Sequence, residues 1–159
     1  LKSSGWWGPA VVGLTYEGLS WFTGATVMLG AMPSASVLTV LLLYSLGAHG
    51  IMTLNDFKAV EGDRATGLRS LPVVLGVRRA SLLACATMAG AQAIVVALLL
   101  AWGLTLSAVI VAALLTGQFA LMPKLLRNPA RNAPWYGATG VTLYVLGMLA
   151  AGLGLGGYI

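Results

Sequence analysis

Apolar residues dominate this chain in five long runs, and the charged positions fall almost wholly between them. The first run extends from about Trp6 to Met32 and contains one acid, Glu17. The second covers roughly Ala35 to Leu54, with His49 its only ionisable side chain apart from Tyr44. A third runs from about Ala80 to Trp102, a fourth from Thr105 to Met122 and the last from Pro134 to Ile159; these three contain no Asp, Glu, Lys or Arg. A helix crosses a bilayer with about 20 apolar residues. The runs are continuous rather than strictly alternating, so helices are expected instead of barrel strands. The predicted fold class is all-α, a polytopic transmembrane helical bundle of about five helices.

The connections alternate in character. Met32-Pro33-Ser34 and Gly103-Leu104 read as short uncharged turns. The other connections hold all nine basic residues: Lys2, then Lys58, Arg64, Arg69, Arg78 and Arg79, then Lys124, Arg127 and Arg131. Five helices threaded up and down place every one of them on a single face. By the positive-inside rule that face is cytoplasmic, with the N-terminus in and the C-terminus out. Trp6, Trp7, Trp102, Trp135 and Tyr158 fall near predicted helix ends, as interfacial aromatics do. Ala86 and Gly90, one turn apart, permit a close helix contact. Tyr44, Tyr136 and Tyr144 read as amphipathic packing residues.

Composition sharpens this picture. The chain is 58% hydrophobic and 8% charged, with a mean hydropathy of +0.90. An ordinary soluble domain carries about 25% charged residues. The pI near 9.8 does not indicate nucleic-acid binding, because the bases gather at the ends of apolar runs instead of forming a solvated stripe. No short apolar run reads as a signal peptide, and the opening Leu1-Lys2-Ser3-Ser4-Gly5-Trp6-Trp7 reads as the middle of a longer chain. Cys85 is the single cysteine, so no internal disulfide forms, and it reads as a small packing residue. The glycines of Gly152–Gly157 lack the preceding strand and following helix of a nucleotide loop.

The candidate chemistry lies in Asn55-Asp56-Phe57-Lys58-Ala59-Val60-Glu61-Gly62-Asp63-Arg64, extended by Ala65-Thr66-Gly67-Leu68-Arg69-Ser70-Leu71-Pro72-Val73. This segment holds three of the four acids in the chain, interleaved with three bases. Acids this close repel one another unless a cation neutralises them. If the second helix continues through the segment, Asp56 and Asp63 share a face, about 10 Å apart along the axis, with Glu61 off to the side and Gly62 ending the helix nearby. Such carboxylates suit Mg²⁺, which binds one or two acids plus substrate phosphates. Lys58, Arg64 and Arg69 would then hold phosphate oxygens. The bland alternative is a loop capped by solvated acid–base pairs.

The same segment resembles the second Asp-rich motif of the UbiA-type intramembrane prenyltransferases, in the form of their chlorophyll and bacteriochlorophyll synthase branch. Leu1–Trp6, Tyr16-Glu17-Gly18-Leu19-Ser20-Trp21-Phe22, Gly47-Ala48-His49-Gly50-Ile51-Met52-Thr53-Leu54 and Pro134-Trp135-Tyr136 carry the likeness along the whole chain. Ala59 departs from other branches, which often have an acid there. The resemblance implies transfer of a geranylgeranyl or phytyl group from its diphosphate to the propionate carboxylate of a chlorophyllide-type tetrapyrrole, with Mg²⁺ as cofactor. It implies metal-binding roles for Asp56 and Asp63, a contribution from Glu61, and diphosphate contacts from Lys58, Arg64 and Arg69. Asn55 then orients a metal-bound water or simply packs, and Ser70 caps a helix or touches phosphate. The implied location is a bacterial inner or intracytoplasmic photosynthetic membrane, the Asp-rich loop on its cytoplasmic face.

Family members have about nine transmembrane helices and an earlier Asp-rich motif with no counterpart here. Residues 1–159 are therefore expected to form the C-terminal half of such a domain and to be inactive alone, the missing N-terminal helices completing the site. Glu17, within an apolar run, reads either as a contact to the tetrapyrrole or as an acid facing another helix. His49 reads either as a ligand to the pigment's central Mg²⁺ or as an interhelical hydrogen-bond donor. Two rival functions remain: a UbiA-type enzyme acting on a quinone or haem precursor, and a non-catalytic pigment-binding scaffold or transporter. Acids gathered at one surface argue against transport.

Overall fold

The computed structural model describes residues 4–159, and Lys2 lies outside them. Among the described residues every regular element is helical. Helix α1 (Trp7–Gly13) runs through a π-helical turn (Leu14–Leu19) into α2 (Ser20–Leu29). Ser34 then accepts the Val37 N–H and starts α3 (Ala35–Asn55), an N-cap of the ordinary kind. A 3₁₀ turn (Asp56–Lys58), α4 (Val60–Ala65) and α5 (Leu71–Leu75) connect it to α6 (Val77–Ala101). The chain finishes with α7 (Thr105–Arg127), α8 (Pro129–Ala138) and α9 (Gly140–Leu155).

Among the described residues four segments are long and apolar enough to cross a membrane: Ala35–Lys58, Val77–Ala101, Thr105–Arg127 and Pro129–Leu155. The first predicted span is not among them. Its helix is interrupted by the π turn, and Glu17, Thr15, Thr23 and Thr26 dilute its apolar character. The last span begins earlier than its apolar run, at Pro129, and breaks at Thr139, where the Tyr136 ring packs against Gly140.

Helix α3 is the axis of the bundle, packed by α1, α6, α8 and α9. Tyr44, Met88, Val95, Leu99, Val111 and Tyr144 are fully buried around it. Gly47 lets the Tyr144 ring lie directly on α3, where any Cβ would overlap it, and the Tyr144 hydroxyl donates to the Tyr44 carbonyl at 3.1 Å. Gln92 on α6 and Gln118 on α7 are buried, and the Gln118 amide donates to Gln92 Oε1. These two bonds join helices through interior polar groups. Cys85 is buried. Ala86 and Gly90 face outward among the described residues; the packing stripe of α6 is Ala84, Met88, Ala91 and Val95.

The outer surface is apolar. Leu42, Leu46, Leu82, Ile94, Leu106 and Val109 are all about half exposed, which water would penalise and lipid would not. The chain is an integral membrane protein. Lys58 lies beside Ala133 and Pro134, so the connector after α3 and the α7–α8 corner share one end of the bundle. At that corner Lys124 sits 3.8 Å over the Trp135 ring, and its carbonyl accepts from Asn132 at 2.7 Å.

Candidate functional site

Asp56 and Asp63 line one cavity of about 210 Å³ at the basic end of the bundle. The route to that meeting differs from the continuous helix expected from spacing. Helix α3 stops at Asn55, the 3₁₀ turn comes next, and Ala59 (φ −108°, ψ 1°) breaks the backbone before α4 begins. Gly62 lies inside α4 and ends nothing. The break sends three consecutive side chains three ways. Asp56 points to the acidic cavity, Phe57 is buried in the core, and Lys58 lines a different cavity beside α8. A 3₁₀ turn holds only three residues, so the faces of α3 are not carried on into α4.

The far wall is built by the chain between α4 and α5. Gly67 (φ +72°) ends α4: its N–H donates to the Arg64 carbonyl, and the Leu68 N–H donates to the Asp63 carbonyl at 2.8 Å. This is a Schellman closure, which needs a left-handed residue. It directs Leu68 and Ser70 toward the cavity. Ser70 precedes α5 without capping it through its side chain, and its buried Oγ has no hydrogen-bond partner among the described residues. Of the two roles expected for Ser70, side-chain capping is not seen.

The third wall comes from the start of the described chain. Ser4, Gly5, Gly8, Pro9 and Val12 close the cavity over Met52 and Asn55. A Cβ at Gly5 would fall 2.6 Å from the Arg69 carbonyl and the Leu71 N–H, so only glycine permits this approach. His49 anchors the wall: its Nε2 donates to the Trp6 carbonyl at 3.2 Å, with the two rings 5.9 Å apart. The structure thus gives His49 an interhelical hydrogen bond.

The other expected site residues fall elsewhere. Arg69 lines an adjoining cavity of about 280 Å³, which shares Ser4 and Gly5 with the acidic one. Glu61 and Arg64 are exposed and line neither cavity. Glu17 is half-buried in the π turn and faces α9 across a groove with Trp21 and Met148. The walls from Ser4 to Val12 were missed by motif reading, because they reach the acids only through tertiary packing.

The acidic cavity fits a divalent cation in one respect and limits it in another. Two half-buried carboxylates with Asn55 and Ser70 beside them suit a hard cation that keeps its waters. Among the described residues no group of three or more His, Cys, Asp or Glu could hold a metal. The chain supplies at most an open, two-acid site, which a phosphate-bearing ligand and further donors would complete.

The model of the UbiA prenyltransferase family matches residues 1–146. The chain belongs to that family. It is 59% identical over 157 residues to the bacteriochlorophyll synthase 33 kDa chain of Cereibacter sphaeroides, covering 99% of this chain and 52% of that one. The corresponding 33 kDa chain of Rhodobacter capsulatus is 48% identical, with 99% and 53% covered. Chloroplastic chlorophyll synthase of Arabidopsis thaliana is 37% identical, with 96% and 39% covered. This UbiA member therefore spans about half the length of these bacterial relatives. No solved structure matches it.

Proposed function

We propose that this chain forms the C-terminal half of a bacteriochlorophyll synthase site, which moves a geranylgeranyl or phytyl group from its diphosphate to the propionate of bacteriochlorophyllide. The observation that carries the proposal is the convergence of Asp56 and Asp63 on one cavity, at the basic end of a membrane bundle, in a member of the UbiA family. Greater identity to the bacterial synthases than to the plant one favours the bacterial pigment. The basic end lies at the cytoplasmic face of a photosynthetic membrane in this reading, by the positive-inside rule.

Asp56 and Asp63 would hold Mg²⁺ together with the diphosphate, and Asn55 and Ser70 would offer hydrogen bonds beside them. When bound, the cation neutralises the diphosphate and stabilises it as a leaving group. Arg69, which lines the adjoining cavity with Ser4 and Gly5, receives phosphate oxygens that extend there in this reading. The bond between the prenyl carbon and the diphosphate oxygen breaks with its electron pair leaving on the diphosphate. A propionate oxygen supplies the pair for the new ester bond. Because the propionate is already ionised at neutral pH, no proton is transferred and no general base is required.

A second acidic motif, on helices outside this chain, completes the site in this reading. The purified chain in lipid nanodiscs should bind geranylgeranyl diphosphate weakly and only with Mg²⁺, and should form no ester. Asp56→Asn and Asp63→Asn should each reduce that binding by roughly 100-fold (~2.7 kcal/mol), with helical content unchanged. Metal-independent binding, or binding indifferent to both substitutions, would sink the proposal.

A further inference from the structure

On the other side of Asn55 lies a second cavity of about 350 Å³, between the end of α3 and the α8–α9 corner. Among the described residues Lys58 is its only charged wall; Ile51, Leu54, Ala133, Pro134 and Val141 make it otherwise largely apolar. Gly137 opens it further, since a Cβ there would meet no atom within 4 Å. A lone cation at an apolar cavity suits an anion attached to an apolar body.

The apolar surface continues along α9. Val145 and Leu149, one and two turns beyond Val141, line a groove of about 390 Å³ with Glu17 and Trp21. They are 46% and 56% exposed, and the stripe from Val141 to Leu149 is about 12 Å long. An elongated or flat apolar body can lie on it with its acid at Lys58. Asn55 lines both this cavity and the one holding Asp56 and Asp63. An acid held at Lys58 is therefore one side chain away from the acidic cavity.

We infer that this cavity is the acceptor subsite: Lys58 pairs with the ionised carboxylate, α9 carries the apolar body, and Asn55 separates the acid from the diphosphate. This rests on the prenyl-transfer reading and assigns Lys58 to the acceptor instead of the diphosphate. Charge complementarity selects the occupant, because among the described residues no acidic side chain lines the cavity, and a neutral ester would leave the ammonium unpaired.

The test is equilibrium binding of bacteriochlorophyllide and of its propionate methyl ester to the chain in phosphatidylcholine nanodiscs, read by pigment fluorescence. The free acid should bind roughly tenfold more tightly than the ester. Lys58→Met should remove that preference by weakening the acid alone, and Lys58→Arg should restore it. Gly137→Leu, whose Cβ would meet no atom within 4 Å, should narrow the cavity and weaken both forms. A preference that survives Lys58→Met, or a Gly137→Leu variant that binds both forms normally, overturns the inference. Loss of Mg²⁺-dependent diphosphate binding in Lys58→Met with acid binding intact also overturns it. Phosphatidylglycerol nanodiscs that abolish the acid preference would instead make the occupant a lipid headgroup and overturn it. Diphosphate binding by the unmodified chain is scored separately: its absence alongside a persisting acid preference defeats the prenyl-transfer reading, and the reverse pattern defeats only the acceptor subsite.

Discussion

The turn between α6 and α7 and the connector between α3 and α6 end a helix with the same backbone device, for different purposes. At Gly103 (φ +78°) the Leu104 N–H returns to the Leu99 carbonyl and the chain enters α7 at once. At Gly67 (φ +72°) the Leu68 N–H returns to the Asp63 carbonyl, and the chain goes on to Ser70 and α5. The first closure joins two spans and exposes no charged side chain. The second fixes the backbone of a carboxylate residue and orients the wall opposite it. Identical local physics serves connection in one place and site-building in the other, because only the second turn has acids on the helix that it ends.

Substituting the two glycines separates these purposes directly. Gly67→Ala and Gly103→Ala both place a Cβ in open space, since nothing lies within 4 Å of either. Their costs are therefore conformational and similar, about 1 to 2 kcal/mol each. Thermal unfolding of the chain in detergent should register comparable losses for the two. Mg²⁺-dependent diphosphate binding should separate them: Gly67→Ala loses roughly tenfold, and Gly103→Ala loses nothing measurable. Equal losses of binding would mean that the α4–α5 wall has no special part in the site.

Some of this architecture was legible in advance. Four of the five apolar runs become membrane-length helices, because continuous apolarity leaves the backbone no better way to satisfy its hydrogen bonds in lipid. The acid-bearing run was legible because charge is scarce elsewhere. The break at Ala59 was hidden: alanine carries no helix-stop signal, and the turn is favoured by burying Phe57 in the core. With that break hidden, the direction of Lys58 was hidden too. The wall from Ser4 to Val12 was illegible for another reason. It depends on a contact 43 residues long in sequence, His49 to the Trp6 carbonyl, and on the fit of Gly5 over Arg69 and Leu71. Ala86 and Gly90 mark the opposite case, a small-residue spacing that no helix of the described residues covers.

A smaller effect should separate the acidic cavity from the groove on α9. Glu17 is the one acid away from the connector. The π turn that carries it contains one residue more per turn than regular helix, a feature often found at functional positions. It faces Trp21, Val145 and Leu149, which are apolar. Our proposal makes it a contact to the pigment body, remote from the diphosphate. Glu17→Gln should therefore weaken bacteriochlorophyllide binding by roughly threefold to fivefold, in acid and ester alike, and leave diphosphate binding unchanged. Unaltered pigment affinity would reduce Glu17 to a residue of the π turn that faces α9 without binding pigment.

Ser70 should give the smallest change and test the site most finely. Its Oγ is buried without a partner on the edge of the acidic cavity. An unpaired buried hydroxyl costs stability, so replacing it with a methyl-sized group should leave the fold neutral or slightly more stable. If the hydroxyl waits for a metal-bound water or a phosphate oxygen, Ser70→Ala should also weaken Mg²⁺-dependent diphosphate binding about twofold to fivefold. A gain in stability paired with a loss of binding is the signature of a polar group held unsatisfied for a ligand. A gain in stability with unchanged binding would make Ser70 a residue set by the geometry before α5, and the polar wall of the cavity would then reduce to Ser4, Asn55, Asp56 and Asp63.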